Sequence, residues 1–125
     1  MANILLVDDE EPIRGFLKRG LDLDGHTVTT AVDGSDALDK LTETGGAFDL
    51  MLTDIRMPIM DGIALALAAK RDYPDLSILL MTGFADQRER AKGLEIIVED
   101  VLTKPFSLAE MRTAVRGVLQ RRGVS

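Results

Sequence analysis

Four short apolar runs set the terms for this chain: Ile4-Leu5-Leu6-Val7, Leu50-Met51-Leu52-Thr53, Ile78-Leu79-Leu80-Met81 and the shorter Val101-Leu102-Thr103. Each has the length of a strand, and each stops at polar or turn-forming residues. Continuous apolar runs of this size read as strands buried on both faces, the usual situation of parallel pairing. Stretches with helical spacing lie between them, so strand and helix signals alternate five times along the 125 residues. That alternation predicts an α/β fold, a parallel sheet with helices on both faces.

The helical stretches carry their own start and stop signals. The first has a stripe of Ile13, Phe16, Leu17, Gly20 and Leu21, with Pro12 near its first turn and Asp24-Gly25 at its end. Residues 27–31 alternate and form a short second strand. Asp33-Gly34-Ser35 opens a second helix with Ala37, Leu38 and Leu41 on its apolar side, stopped by Gly45-Gly46. A third helix follows Asp61-Gly62 and closes at Pro74. The last is announced by a capping box, Ser107-Leu108-Ala109-Glu110, ahead of the stripe Met111, Ala114, Val115, Val118 and Leu119.

In an open parallel sheet, whatever follows the carboxyl end of a strand lands in the ligand crevice. The first strand runs into Asp8-Asp9, the third into Asp54, the fourth into Thr82-Gly83 and the fifth into Lys104-Pro105-Phe106. Three carboxylates in one pocket raise each other's pKa and call for a compensating cation. An all-oxygen donor set with room for water suits a hard ion, Mg²⁺ above all. A lone Asp, a hydroxyl, an ammonium and a metal together fit phosphoryl transfer onto a carboxylate.

Composition narrows the alternatives. Apolar residues make up 46% of the chain, enough for a packed core. A net charge of −6 argues against broad nucleic-acid binding, which needs clustered positive charge. Without cysteine there is no disulfide framework, thiol chemistry or thiolate metal site. His26, the single histidine, suits an ordinary place at the start of a strand. Met51 and Met81 lie inside apolar runs and read as core filler. No run has transmembrane length and no signal-peptide pattern precedes the first strand, so the cytoplasm is the expected compartment.

The order and spacing of the strand-end residues resemble the receiver domain of two-component response regulators. The matching pieces are Leu6-Val7-Asp8-Asp9-Glu10, Leu52-Thr53-Asp54 through Met57-Pro58-Ile59-Met60-Asp61-Gly62, Met81-Thr82-Gly83 and Leu102-Thr103-Lys104-Pro105-Phe106. The resemblance covers nearly the whole chain and implies a five-stranded CheY-like sheet in the order 2-1-3-4-5. It implies that Asp54 is the phosphoacceptor. Mg²⁺ would be held by Asp9, by Asp8 directly or through water, by Asp54 and by the backbone carbonyl of Arg56. The Thr82 hydroxyl and the Lys104 ammonium would engage phosphoryl oxygens, with the Lys104-Pro105 bond cis. The implied donor is a sensor histidine kinase or a histidine phosphotransfer protein.

With residues 1–125 read as a single receiver domain and no output domain in the sequence, a stand-alone receiver is expected. Its signal would leave through a downstream protein partner, without direct contact to nucleic acid or membrane. The chain would label and unlabel itself rather than turn over an outside substrate. The alternative, a metal-dependent phosphohydrolase acting on an external substrate, would need a substrate-binding cap or a further acid/base residue. Asp22-Leu23-Asp24-Gly25 imitates the nucleophile motif of dehalogenase-type phosphatases, but it follows a helical stretch where that motif needs a buried strand.

Two departures from the family pattern bear on switching. Receivers usually carry a rotating aromatic ring where this chain has Val101, while an aromatic residue stands at Phe84, two positions after Thr82. That arrangement resembles a subset of stand-alone receivers that includes the CpdR type, an adaptor for regulated proteolysis. Phe84 is the expected substitute relay toward the partner face, with Pro105 also on the switch side. The helix expected around Arg88-Glu89-Arg90-Ala91-Lys92 is polar and broken by Gly93, so its intrinsic stability should be low. Ile97 and Val98 stand where receivers commonly have Gly-Ala, and are expected in the core rather than in an exposed docking patch.

Overall fold

The computed structural model describes residues 2–83 and 93–123. Five strands, β1 (Asn3–Val7), β2 (Thr27–Ala31), β3 (Leu50–Asp54), β4 (Ser77–Thr82) and β5 (Asp100–Thr103), alternate with helices. Among the described residues these helices are α1 (Glu11–Leu23), α2 (Gly34–Thr44), α3 (Gly62–Asp72) and α4 (Leu108–Arg122). All strand pairs are parallel, in the order β2-β1-β3-β4-β5. This is the sheet expected from the sequence. Phe84 and the polar stretch 88–92 lie outside the described residues.

The continuity of the apolar runs follows from coverage of both faces. Leu5, Val7, Met51, Ile78 and Leu80 point toward the α2–α3 side, whereas Ile4, Leu6, Leu50, Leu52, Leu79 and Met81 point toward α1 and α4. All of these side chains are fully buried. Burying each contributes on the order of 1.5–3 kcal/mol, so polar residues at alternate positions would have been costly. Ile97 and Val98 pack on the α2–α3 side, as expected for core residues, while the neighbouring Ile96 stands in solvent.

Helix starts follow the local sequence. The Asp33 side chain accepts from the Asp36 N–H at 2.8 Å, and the Asp61 side chain from the Ala64 N–H at 2.9 Å. Ser107 and Glu110 complete the capping box in both directions, each bond 3.0 Å. Gly45 ends α2 with φ 63°, a left-handed cap that glycine adopts without a Cβ penalty.

The α1 stripe needs one correction. Phe16 was expected on the buried face, yet it is 46% exposed, and the buried positions are Leu17, Gly20 and Leu21. Helix α4 comes so close that a Cβ on Gly20 would lie 2.5 Å from Leu108 Cδ1, so the contact centres on Gly20 and turns Phe16 outward. Arg112 of α4 adds an ion pair to Asp24, its Nε donating to Oδ2 at 2.9 Å. Asp22 pairs with Lys18 at 2.8 Å. Both acids of the phosphatase-like tetrad thus finish a helix and do no pocket chemistry. His26 Nδ1 accepts from the Ala2 N–H at 3.2 Å, an ordinary strand-edge role.

Candidate functional site

Strand register delivers the site. Val7 lies beside Thr53, Asp54 beside Met81, and Thr82 beside Thr103, so the residues at or just beyond these positions converge at one edge of the sheet. Carboxylate oxygens of Asp8, Asp9 and Asp54 all come within 4.8 Å of one another. Lys104 Nζ donates to Asp54 Oδ2 at 3.3 Å from the end of β5. Thr82 is fully buried, and its carbonyl accepts the Lys104 N–H at 2.7 Å, tying the two strand ends together. The Lys104-Pro105 bond is cis, as the resemblance implied. Arg56 is exposed in the loop after β3, and Val101, in the place of the usual ring, packs against the α2–α3 side of the core.

Asp8 is held on nearly every side. Its N–H donates to the Ala31 carbonyl at 3.2 Å, its Oδ1 accepts from the Glu10 N–H at 2.9 Å, and its own carbonyl accepts from Arg14 Nη1 at 2.7 Å. Oδ2 is the exception. Among the described residues it is the buried side-chain polar atom without a hydrogen-bond partner. Such an atom is rare because leaving it unpaired costs about 1–3 kcal/mol. A carboxylate with one orphaned oxygen, clustered with two further carboxylates, fits a divalent, oxygen-seeking cation.

The electrostatics agree with that reading. Burial is the largest influence on Asp8 and pushes its pKa up to about 6; the Glu10 N–H works against the rise, and Asp54 adds to it. Burial also raises the pKa of Asp54, with Lys104 as the main opposing influence. One ammonium therefore leaves three crowded carboxylates undercompensated. We expect Asp8→Asn to stabilise the metal-free protein by about 2 kcal/mol at pH 7.5. The Asp8 pKa is higher folded than unfolded, so its stability contribution is full below about pH 4 and is lost as pH rises through about 6. Urea unfolding in EDTA should accordingly show the advantage of the variant shrinking as pH falls from 7.5 to 5. An advantage that stays constant would remove Asp8 ionisation as its cause.

Two residues at the site carry roles that sequence patterns did not reveal. Arg14 fixes the carbonyl of the Asp8 turn, yet it sits among the polar positions of α1 with nothing to distinguish it. Gly62 was legible as part of a helix start, but its necessity lies elsewhere. A Cβ there would stand 2.1 Å from the backbone oxygen of Asp54, and the Gly62 N–H donates to the Ile55 carbonyl at 2.7 Å. The loop leaving the carboxylate therefore returns to touch its own beginning.

A sequence profile of the response regulator receiver domain matches residues 4–116. The chain is 38% identical over 122 residues to the transcriptional regulatory protein PrrA of Mycobacterium leprae, covering 98% of this chain and 52% of that protein. It thus spans about half the length of the curated relatives it matches. Among solved structures, a receiver domain protein from Clostridium thermocellum superposes with a TM-score of 0.89 at 27% identity, covering 98% of each chain. Response regulator TrrA from Thermotoga maritima, crystallised with Mg²⁺ and BeF, superposes at 0.83 with 32% identity, covering 95% of this chain and 100% of that one.

Proposed function

The chain belongs to the response regulator receiver domain family of two-component systems, and on that footing we propose that Asp54 accepts a phosphoryl group and switches protein–protein binding. The observation that carries the proposal is the acidic trio, with Lys104 paired to Asp54 and a buried Asp8 oxygen left unpaired. Asp54 attacks the phosphorus of a donor phosphohistidine. The P–O bond forms as the P–N bond breaks, and the imidazole leaves with the electron pair of that bond. Lys104 offsets charge on the transferring oxygens, and the Thr82 hydroxyl becomes a donor to one of them once the group is in place.

Asp9, Asp54, Asp8 and the Arg56 carbonyl would hold Mg²⁺, whose chemistry is to neutralise phosphoryl oxygens as charge builds on them. The solved TrrA complex contains Mg²⁺ and BeF, which supports a metal role for the matching pocket here. The donor is a sensor histidine kinase or histidine phosphotransfer protein, and the output is a changed affinity for a protein partner. Self-labelling without steady turnover of a phosphoester is the expected behaviour. No helix among the described residues is long and apolar enough to cross a membrane. A cytoplasmic setting, alongside such a kinase, completes the proposal.

Mg²⁺ titration followed by backbone amide resonances tests the metal part. The signals at the ends of β1 and β3 should move in the wild type and stay still in Asp9→Ala, whose affinity should drop at least about tenfold. Equal responses in the two proteins would move the metal elsewhere. Chelation with EDTA should stop labelling from a small phosphodonor.

A further inference from the structure

Ile59 combines two unfavourable features in one place. It is the residue outside glycine with a positive φ among the described residues, at 72°, in a conformation that a β-branched side chain resists. The Met60 N–H donates to the Pro58 carbonyl at 2.7 Å, so Ile59 sits at the tip of a γ-turn of the strained, positive-φ kind. Its side chain is also 84% exposed, an apolar group held in water. Glycine or asparagine would take this backbone with less strain and leave no large apolar group outside.

The residues on either side make the projection rigid. Met57 is buried, with the Thr53 hydroxyl 3.9 Å from its sulfur, and Met60 packs on the α2–α3 side of the core. Gly34 lies so near that a Cβ there would be 2.8 Å from Met60 Cβ. The Gly62–Ile55 bond closes the base of the loop. Ile59 is thereby fixed in direction, five residues from Asp54 and at the same sheet edge, with half-exposed Val32 on the adjoining loop.

We propose that Ile59 is the preformed apolar anchor by which this receiver seats its protein phosphodonor, a phosphohistidine-bearing surface with an apolar recess. The proposal rests on Asp54 being the phosphoacceptor. Access argues for this occupant over others. Asp54 is 6% exposed and Thr82 fully buried, so a donor imidazole must be carried down into the pocket by a surface that covers its rim. Any such surface meets the side chain that the γ-turn holds outward. Preorganisation spares the ordering that a flexible anchor would require, and strain at a binding loop is consistent with that use.

The test compares Ile59→Gly, Ile59→Asn and Ile59→Leu with the wild type in three measurements. Thermal unfolding should rise by about 3–6 °C in the glycine variant as strain is relieved. Labelling of Asp54 by phosphoramidate, too small to reach the turn, should stay within about twofold in all three. The protein donor is a purified phosphorylated histidine kinase core, chosen as the one that labels the wild type fastest among a panel. Its kcat/KM should fall about tenfold or more for the glycine and asparagine variants, mainly through KM, and be largely kept by leucine. Unchanged transfer to Ile59→Gly would overturn the proposal. So would a parallel fall with phosphoramidate, which would place the effect in the pocket itself. If neither donor labels the wild type at Asp54, the phosphoacceptor reading fails, and this proposal fails with it.

Discussion

Asp54→Asn should abolish covalent labelling, by at least about a hundredfold, while leaving the fold intact. Asparagine keeps the shape of the side chain and loses the oxygen nucleophile. The wild-type adduct should be an acyl phosphate, released by hydroxylamine and by acid, and the variant should show no such adduct from either a small phosphodonor or a kinase. The substitution should not weaken the protein, because burial already makes ionised Asp54 unfavourable and Lys104 relieves this only in part. Its urea midpoint should therefore equal or exceed the wild-type value. Labelling retained in a folded Asp54→Asn protein would place the nucleophile elsewhere, with Asp8 and Asp9 the next to test.

Gly62→Ala should produce the largest stability loss of any glycine-to-alanine change among the described residues. The new Cβ would lie 2.1 Å from the Asp54 carbonyl oxygen and 2.9 Å from Ile55 Cα, both backbone atoms that cannot rotate aside. Relief requires moving the loop or the end of β3, at a cost of about 3 kcal/mol or more, a large part of a domain's usual 5–15 kcal/mol. Gly15 provides the control, since no atom lies within 4 Å of a Cβ built there, and α1 should gain helix propensity from Gly15→Ala. Denaturant unfolding of the two variants should move in opposite directions. A Gly62→Ala midpoint equal to that of the wild type would mean that the loop yields freely, and with it the rigid mounting of Ile59.

Much of the architecture was legible because it depends on patterns that burial imposes on sequence. Strands covered on both faces must be apolar throughout, and Leu50-Met51-Leu52 or Ile78-Leu79-Leu80 admit few other readings. The pocket was legible for a related reason, since strand ends in a parallel sheet share an edge and the polar residues there stand out against apolar runs. The strand order came from the family resemblance, because local patterns do not say which strands are neighbours.

What stayed hidden depends on distances between residues far apart in the chain or on backbone conformation. Phe16 fits the helical stripe as well as Leu17 does, and only the closeness of Leu108 to Gly20 decides which of them is covered. Arg14 reads as one more polar helix residue until its bond to the Asp8 carbonyl is seen. Ile59 reads as an ordinary member of Met57-Pro58-Ile59-Met60, since nothing in an isoleucine announces a positive φ.

The division of the pocket among strands has a consequence for what a labelling assay counts. Asp8 and Asp9 follow β1, Asp54 ends β3, Thr82 ends β4 and Lys104 follows β5, so the set is divided among four strands. Detaching any one of these strands would separate Asp54 from the acid pair, the Thr82 hydroxyl or the Lys104 ammonium. On the proposed function, full chemical competence would therefore require β1, β3, β4 and β5 to be paired together. With Asp54 as the proposed phosphoacceptor, the fraction of molecules that takes up phosphate would count those with these four strands in register, which would make phosphoryl uptake a folding measurement as well as a signalling one.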